Sequence, residues 1–425
     1  MRILHVVQRY YPYVGGSELY FKELSEQFAA DGHEVTVLTT DAWDLDHFWA
    51  RGRRRIDQLQ EQHCGVAIRR FPVVRLPGPP LIYPILHRLM VELGRLPGTL
   101  LLVRALARLT PRVPALEHYL KTTWEPFDIV ATCNITLDFT IVPAAHFARR
   151  RGIPHVCVPF VHLGELGNRQ IVRYYSQPYQ IDLLQQADQV IVQTPSEGRF
   201  LAHAGVPATR IREVGCWVKP ETLVGGDAQR FRQAHSIQAP IVLSIGTTAY
   251  DKGTMHLIEA MEQLWAAGCT AQLVLIASTT LAQFEHYWAQ LAPSTQARIT
   301  LIKAAPHAVK LDALAAANVF ALPSRTDSFG IVFLEAWCYD LPVIGARAGG
   351  VPDVIQAGRT GLLVPFGAVT ELAQAIRILL ERPADARRLG AAGHDYVLRE
   401  LTFPTKYGQF EQIYQRLIKQ DKGQA

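Results

Sequence analysis

The chain of 425 residues lacks several features that would place it at once. Its six cysteines, at 64, 133, 157, 216, 269 and 338, form no Cys-x-x-Cys pair, which argues against zinc and fits a reducing compartment rather than a disulfide framework. No stretch reaches the ~18 uncharged apolar residues of a membrane-spanning helix. Residues 1 to 7 read as a strand rather than a signal peptide, because the apolar run is short and Arg2 leads straight into it. A cytoplasmic location is expected. No internal repeat of ~20–50 residues is visible, which excludes solenoids and propellers. Gly-x-Gly-x-x-Gly is missing, and with it the fingerprint of nicotinamide dehydrogenases. No basic-aromatic module of the nucleic-acid-binding kinds is present, so no nucleic acid partner is expected.

Charge is modest overall but uneven. The formal net charge is +5, yet between Arg51 and Arg112 twelve arginines face only Asp57, Glu61 and Glu92. The same window carries Leu81-Ile82-Tyr83, Ile85-Leu86 and Leu100 to Val103, with Arg88, Arg95, Arg104 and Arg108 among them. Two readings fit. The segment lies on an anionic membrane surface, a peripheral contact at the inner face, or it forms core-packing helices whose exposed faces are arginine-rich.

A chain this long is expected to form two domains of roughly 200 residues. Strand signals at Ile3–Val7, Val35–Thr39, Asp128–Ala131, His155–Pro159 and Gln189–Gln193 alternate with helical patterns at Ser17–Ala30 and Ile141–Arg150. A second run begins with Ile211–Val214 and Ile241–Ile245. It continues through helix Gly253–Ala267, strands Gln272–Ala277 and Val319–Leu322, helix Val332–Cys338 and strand Pro342–Ala346. The alternation predicts an α/β protein of two doubly wound, Rossmann-like parallel-sheet domains, 1–195 and 205–402. The boundary is expected within Thr194–Val206, where Thr-Pro-Ser and Ala-Gly-Val-Pro signal turns. The segment 403–425 has Tyr407, Phe410, Ile413, Tyr414 and Leu417 at helical spacing and is expected to return to the first domain.

Function is most legible at Asp327 and Glu335, which bracket a Ser-Phe-Gly turn with seven residues between them. Strand Val319–Leu322 leads into that turn, and Ile331, Phe333, Leu334 and Trp337 open a helix after it. In open α/β sheets this junction binds ligands, because unpaired backbone N–H groups face outward there. Two acceptor-only carboxylates around a cluster of amide donors suit a ligand with phosphates and several hydroxyls, a nucleotide sugar. Three other loops share the pattern. Gly15-Gly16 stands between the first strand and helix, where paired glycines let the backbone approach a ligand or simply form the turn. Lys252-Gly253 opens the helix after strand 241–245, in place to hold a diphosphate, or it is a solvated loop lysine. Gly349-Gly350 follows strand 342–346. His162 falls just past strand 155–159, at the carboxyl edge of the first sheet.

Taken together, in order and spacing, these elements resemble the retaining GT-B glycosyltransferases called family 4. The likeness runs from Gly15-Gly16 and Gly32 to Thr39, through Gly246–Gly253 and Ser324–Ala336, to Pro342–Ile344, Gly349-Gly350 and Thr360–Val364. The resemblance implies transfer of a sugar from a nucleotide donor with retention of configuration, in a cleft between two Rossmann-like domains. It implies Asp327 against sugar hydroxyls, the backbone of Ser328, Phe329, Gly330 and Ile331 against sugar and diphosphate, and Glu335 against the ribose. It places Lys252 at the diphosphate, Gly15 and Gly16 near it, and His162 at the donor sugar. No metal and no organic cofactor is implied. Retention is attributed in the family to front-face attack, with the leaving phosphate helping to take the acceptor's proton.

Three departures from the family stand out. Asp327 stands where Glu is usual, one methylene shorter. Thr247 stands where an Arg usually flanks the diphosphate, which removes a bidentate cation unless Arg325 or Lys303 substitutes. Ala131 and Cys133 stand where many members carry histidines, so the acceptor side, lipid-linked or otherwise, is expected to be individual. A non-catalytic nucleotide-sugar-binding protein and a GT-B phosphorylase or epimerase are the alternatives.

Overall fold

The computed structural model describes residues 1–13, 15–79, 81–109 and 111–422. The chain divides into two compact units, one of residues 1–161, 172–214 and 407 onward, the other of 162–171 and 215–406. Each is a sheet flanked by helices.

The first unit holds β1 (Arg2–Val6), β2 (Glu34–Thr40), β3 (Gln60–His63), β4 (Val66–Phe71), β5 (Ile129–Cys133), β6 (His155–Val158), β7 (Gln189–Val192) and β8 (Ile211–Glu213). Their order is β3-β4-β2-β1-β5-β6-β7-β8. All neighbours pair parallel except β3 and β4, which form an antiparallel hairpin at one edge. The central strands are apolar without alternation, and Ile3, Leu4, Ile129, Val130 and Val156 are buried, as strands covered on both faces must be. The order reverses between β1 and β5. That switch point is where the carboxyl ends of a doubly wound sheet leave a crevice, and the loop to Gly15 and helix Gly16–Ala30 springs from it.

The second unit holds β9 (Ile241–Thr248), β10 (Gln272–Thr280), β11 (Ile299–Lys303), β12 (Val319–Leu322), β13 (Val343–Ala346) and β14 (Gly361–Val364), in the order β11-β10-β9-β12-β13-β14 and parallel throughout. Phe320 lies opposite Leu243 on one side and Val343 on the other, which fixes the register at the centre. Helices Thr254–Ala266 and Val369–Glu381 bury Leu257, Ile258, Met261, Leu372 and Ile376 against the sheet. Here the order reverses between β9 and β12.

Three expectations need correction. The strand at 211–214 does not open the second domain but pairs as β8 with β7, Val190 opposite Ile211. Its burial is slight, so its residues say little about which sheet it joins. The stretch expected as the boundary is instead a helix, Pro195–His203, because Thr194 accepts from the Glu197 N–H at 3.3 Å and Pro195 starts the first turn. Residues 162–171, expected within the first domain, group with the second unit, where Gly164 O accepts from Gly349 N at 2.8 Å.

The last helix, Phe403–Lys422, belongs to the second unit through Lys406 and to the first from Tyr407. Within the first unit Tyr414 stacks on Phe28 at 5.2 Å and meets His5 Nε2 at 3.2 Å, and Tyr407 bonds Asp31. Residues 423–425 lie outside the described residues.

Helix Pro383–Glu400 crosses helix Ile331–Trp337 through glycines, because a Cβ on Gly393 would stand 2.1 Å from Trp337 Cδ1. Trp337 is fully buried and bonds Thr360 O at 2.9 Å, so it has nowhere to go. Gly393→Ala is therefore expected to destabilise the second unit by ~1–3 kcal/mol in urea unfolding, as overpacking does; an unchanged midpoint would contradict this packing.

Candidate functional site

At the switch point of the second sheet the loops after β9 and β12 press together. Gly253 takes φ +72°, and a Cβ there would stand 2.3 Å from Pro323 O, so the contact admits only glycine. Arg325 N and Ser324 Oγ both donate to Asp251 O, at 2.9 and 3.3 Å. The two loops thereby bring Lys252 against Asp327, Nζ to Oδ1 at 2.8 Å, with both side chains largely buried. The third loop closes on the same carboxylate residue from behind. Gly350 N donates to Asp327 O at 2.9 Å, and Gly349, at φ +60°, leaves only 2.2 Å between its missing Cβ and that oxygen.

His162 joins this pair. It lies in the segment that follows β6, whose Glu165 bridges to Ala348 beside the Gly349-Gly350 loop. The residue as a whole is half-buried, yet its ring is deep enough that burial, and then Lys252, lower its pKa to about 4 against the opposing pull of Asp327. The imidazole is neutral at neutral pH. For Asp327 burial alone would raise the pKa, but Lys252, helped by Ser324 and His162, outweighs it and holds the carboxyl below its ordinary value. Asp327 is accordingly an anion.

Glu335 sits on the two-turn helix Ile331–Trp337, which begins at Gly330 in the left-handed region, φ +86°. Its Oε1 accepts from Lys310 Nζ at 2.8 Å, across from helix His307–Ala316. The two carboxylates thus share one design. Each gives one oxygen to a lysine, and the other, Asp327 Oδ2 and Glu335 Oε2, is buried without a hydrogen-bond partner among the described residues. A buried unpaired carboxylate oxygen is costly, and ligand hydroxyl groups are the donors that would satisfy it.

The structure therefore brings Lys252, Asp327 and His162 together, with Ser328, Phe329, Gly330 and Ile331 forming the turn between Asp327 and Glu335. Gly15 and Gly16 stand at the switch point of the first unit. Thr247 lies near the end of β9, and neither candidate for a substitute cation there is uncommitted. Arg325 is held by Asp251 at 2.8 Å and Glu165 at 3.1 Å, with its guanidinium over Phe366, and Lys303 pairs with Glu285 at 3.0 Å on the surface. Lys310 and Glu165 escape a reading of the sequence. Lys310 is a solitary basic residue in a helix without a marked apolar stripe, and only the fold puts it beside Glu335. The sequence also contains one Asp-x-Asp triplet, Asp44-Leu45-Asp46, in the first unit. Asp44 is paired with Arg54 at 2.8 Å and Asp46 with Arg53 at 3.6 Å.

Comparison with known proteins places these features. Residues 15–217 match the glycosyl transferase 4-like domain and residues 227–396 the glycosyl transferases group 1. The GDP-mannose-dependent monoacylated alpha-(1-6)-phosphatidylinositol monomannoside mannosyltransferase of Corynebacterium glutamicum is 30% identical over 43% of this chain and 48% of its own. D-inositol 3-phosphate glycosyltransferase 1 of Catenulispora acidiphila is 26% identical over 89% of this chain and 86% of its own. The match to the first relative thus spans 48% of its length, about half. Among solved structures, sucrose-phosphate synthase from Thermosynechococcus elongatus superposes with a TM-score of 0.72 at 20% identity, covering 99% of this chain and 100% of that one. The HepE protein of Anabaena, in complex with UDP-glucose, gives 0.70 at 18% identity, covering 98% and 100%. At such identities the likeness is one of fold, but the two family matches between them take in most of the sequence, and the chain belongs to the group 1 and 4-like glycosyltransferases of GT-B fold.

Proposed function

We propose that the protein transfers a hexosyl group from a nucleoside-diphosphate sugar to an acceptor hydroxyl, with retention of configuration and with Lys252, rather than a metal ion, as counter-charge to the leaving diphosphate. The observation that carries this reading is the pair of carboxylates at the switch point, each with one lysine-bound oxygen and one buried oxygen that has no hydrogen-bond partner among the described residues. Asp327 Oδ2 accepts from sugar hydroxyls and Glu335 Oε2 from the ribose. Ser328 to Ile331 offer backbone N–H groups to the sugar and diphosphate, and neutral His162 hydrogen-bonds the donor sugar. Gly15 and Gly16 are assigned to the diphosphate by the same reading.

In the transfer the bond from C1 to the phosphate oxygen breaks and its electron pair leaves with the diphosphate. The acceptor oxygen forms the new C1–O bond on the same face, and its proton passes to the leaving phosphate. Lys252 acts only by offsetting the charge that gathers on the diphosphate. Both Asp327 and Glu335 are hydrogen-bond acceptors here, neither acid nor base.

The acceptor is proposed to be at a membrane. No helix among the described residues is long and apolar enough to cross one. In the first unit, however, helices Ile82–Leu93 and Leu100–Ala107 leave Leu81, Ile85, Leu101 and Leu102 between 50% and 75% exposed, with Arg88 and Arg108 beside them. Apolar side chains flanked by arginines suit insertion at an anionic lipid surface. Co-sedimentation with phosphatidylglycerol vesicles but not phosphatidylcholine vesicles is expected, and Leu101→Ser with Leu102→Ser should abolish most of it; equal recovery with both lipids would remove the membrane reading.

Lys252→Ala and Glu335→Ala should each lower kcat/KM for the productive nucleotide sugar at least tenfold, about 1.4 kcal/mol. The product's anomeric configuration, read by NMR coupling constants, should match the donor's. An inverted product, or donor binding by calorimetry without turnover against any acceptor, would defeat the proposal. Because Arg325 and Lys303 are both committed to carboxylates, Thr247→Arg is expected to raise kcat/KM. A loss of activity would instead show that another cation already fills that space.

A further inference from the structure

A cavity of about 750 Å³ opens in the first unit, between helices Leu100–Ala107, Pro114–Thr122, Ile141–Arg151 and Pro178–Gln185. Its size is that of a small-molecule site. Its floor is apolar, with Leu120, Phe139, Phe147 and Tyr179 buried beneath it. Its walls carry Arg104, Arg108, Lys121, Arg149 and Arg150.

Only part of this charge is neutralised. Arg104 pairs with Asp182, and Lys121 approaches Glu117 at 3.9 Å. Arg149 bonds the neutral amide of Gln186, Arg150 bonds Leu120 O at 2.5 Å, and Arg108 has no ion-pair partner among the described residues. Three guanidinium groups thus face the cavity without a carboxylate. The remaining acid, Asp138, is 4% exposed and has its pKa raised to about 7 by burial, so at neutral pH it offsets only a fraction of one charge against three guanidinium groups. His146 registers the same field. Burial lowers its pKa first, and Arg149, Arg108, Lys121 and Arg104 lower it further.

We propose that this cavity binds a phosphate ester carrying an apolar substituent, the phosphate held by Arg108, Arg149 and Arg150 and the substituent lying over Phe139, Phe147 and Tyr179. Guanidinium groups are suited to phosphate by their planar, bidentate donor geometry. The ester is a lipid headgroup or a soluble phosphorylated molecule, and chain length separates the two. Helix Leu100–Ala107 favours the lipid, since it turns Val103 and Ala107 inward and Leu101 and Leu102 out to solvent. The inference involves the first unit alone and stands or falls apart from the donor-site reading.

The test is calorimetric titration of the full chain with dodecyl phosphate below its micellar concentration, butyl phosphate, inorganic phosphate and dodecyl maltoside. Dodecyl phosphate is expected to bind at least tenfold tighter than inorganic phosphate and than the neutral maltoside. If it also exceeds butyl phosphate the ligand is a lipid headgroup; if butyl phosphate equals it, a soluble ester. Arg108→Ala with Arg149→Ala should weaken it at least tenfold without moving the unfolding midpoint, and the single exposed change Arg108→Gln should weaken it measurably should the double variant fold poorly. Binding no tighter than that of inorganic phosphate or of the maltoside, or undiminished in the Arg108 variants, would overturn the proposal.

Discussion

The ion pair between Lys252 and Asp327 is the constraint on which the second unit's site depends. Taking both charges largely out of water is costly, and such a pair persists only where geometry and further hydrogen bonds hold it. Here the holding is done by backbone. Gly253 against Pro323, Arg325 N and Ser324 Oγ on Asp251 O, and Gly350 N on Asp327 O lock three loops from three different strands around the pair. The contacts of Gly253 and Asp251 with the loop after β12 require the topological reversal that sets β9 beside β12, and Gly350 reaches Asp327 from the next strand over, β13. Burial first of all keeps His162 beside the pair neutral, and the ammonium of Lys252 adds to it against the opposing pull of Asp327.

The partly satisfied carboxylates follow from the same economy of contacts. A carboxylate bound through both oxygens to arginine is a finished structural ion pair, as Arg230 with Asp312 illustrates elsewhere in this unit. Lysine offers a point charge and can be satisfied by one oxygen, so Lys252 and Lys310 orient Asp327 and Glu335 while leaving the second oxygen to a ligand. Arginine in either place would fill the carboxylate. Burial does not make that distinction within this unit, since Asp312 is buried more deeply than either site carboxylate.

Much of this was legible in the sequence, for physical reasons. Parallel strands buried on both faces are continuous apolar runs, and β1, β9, β12 and β13 announce themselves that way. The Asp327 to Glu335 spacing and the glycines at 253, 330 and 349 mark backbone that must approach closely or turn left-handed. What was not legible is of two kinds. Short, half-exposed strands such as β8 carry no sign of which sheet they join, and Thr194-Pro195 is equally a turn and a helix cap until Glu197 is seen to complete it. Pairings across long separations, Lys310 with Glu335 or Arg325 with Glu165, depend on helix packing that no local pattern encodes.

The arginine-rich window shows how a composition count can mislead. Of the twelve arginines between 51 and 112, Arg53, Arg54, Arg55, Arg69, Arg70, Arg95 and Arg104 lie in ion pairs, several with acids outside the window. The apparent excess is therefore much reduced in the folded chain. What sets the region apart is where the uncommitted charge stands. Arg88 shares its helix with exposed Ile85 and Leu89, and Arg108 lies at the end of the helix that exposes Leu101 and Leu102 and walls the cavity. Isolated surface arginine would attract any polyanion, but screening by salt weakens such attraction beyond ~10 Å. Arginine set beside exposed leucine selects for a ligand that is anionic and apolar at once, because the apolar contact is not screened and the charge fixes which end enters.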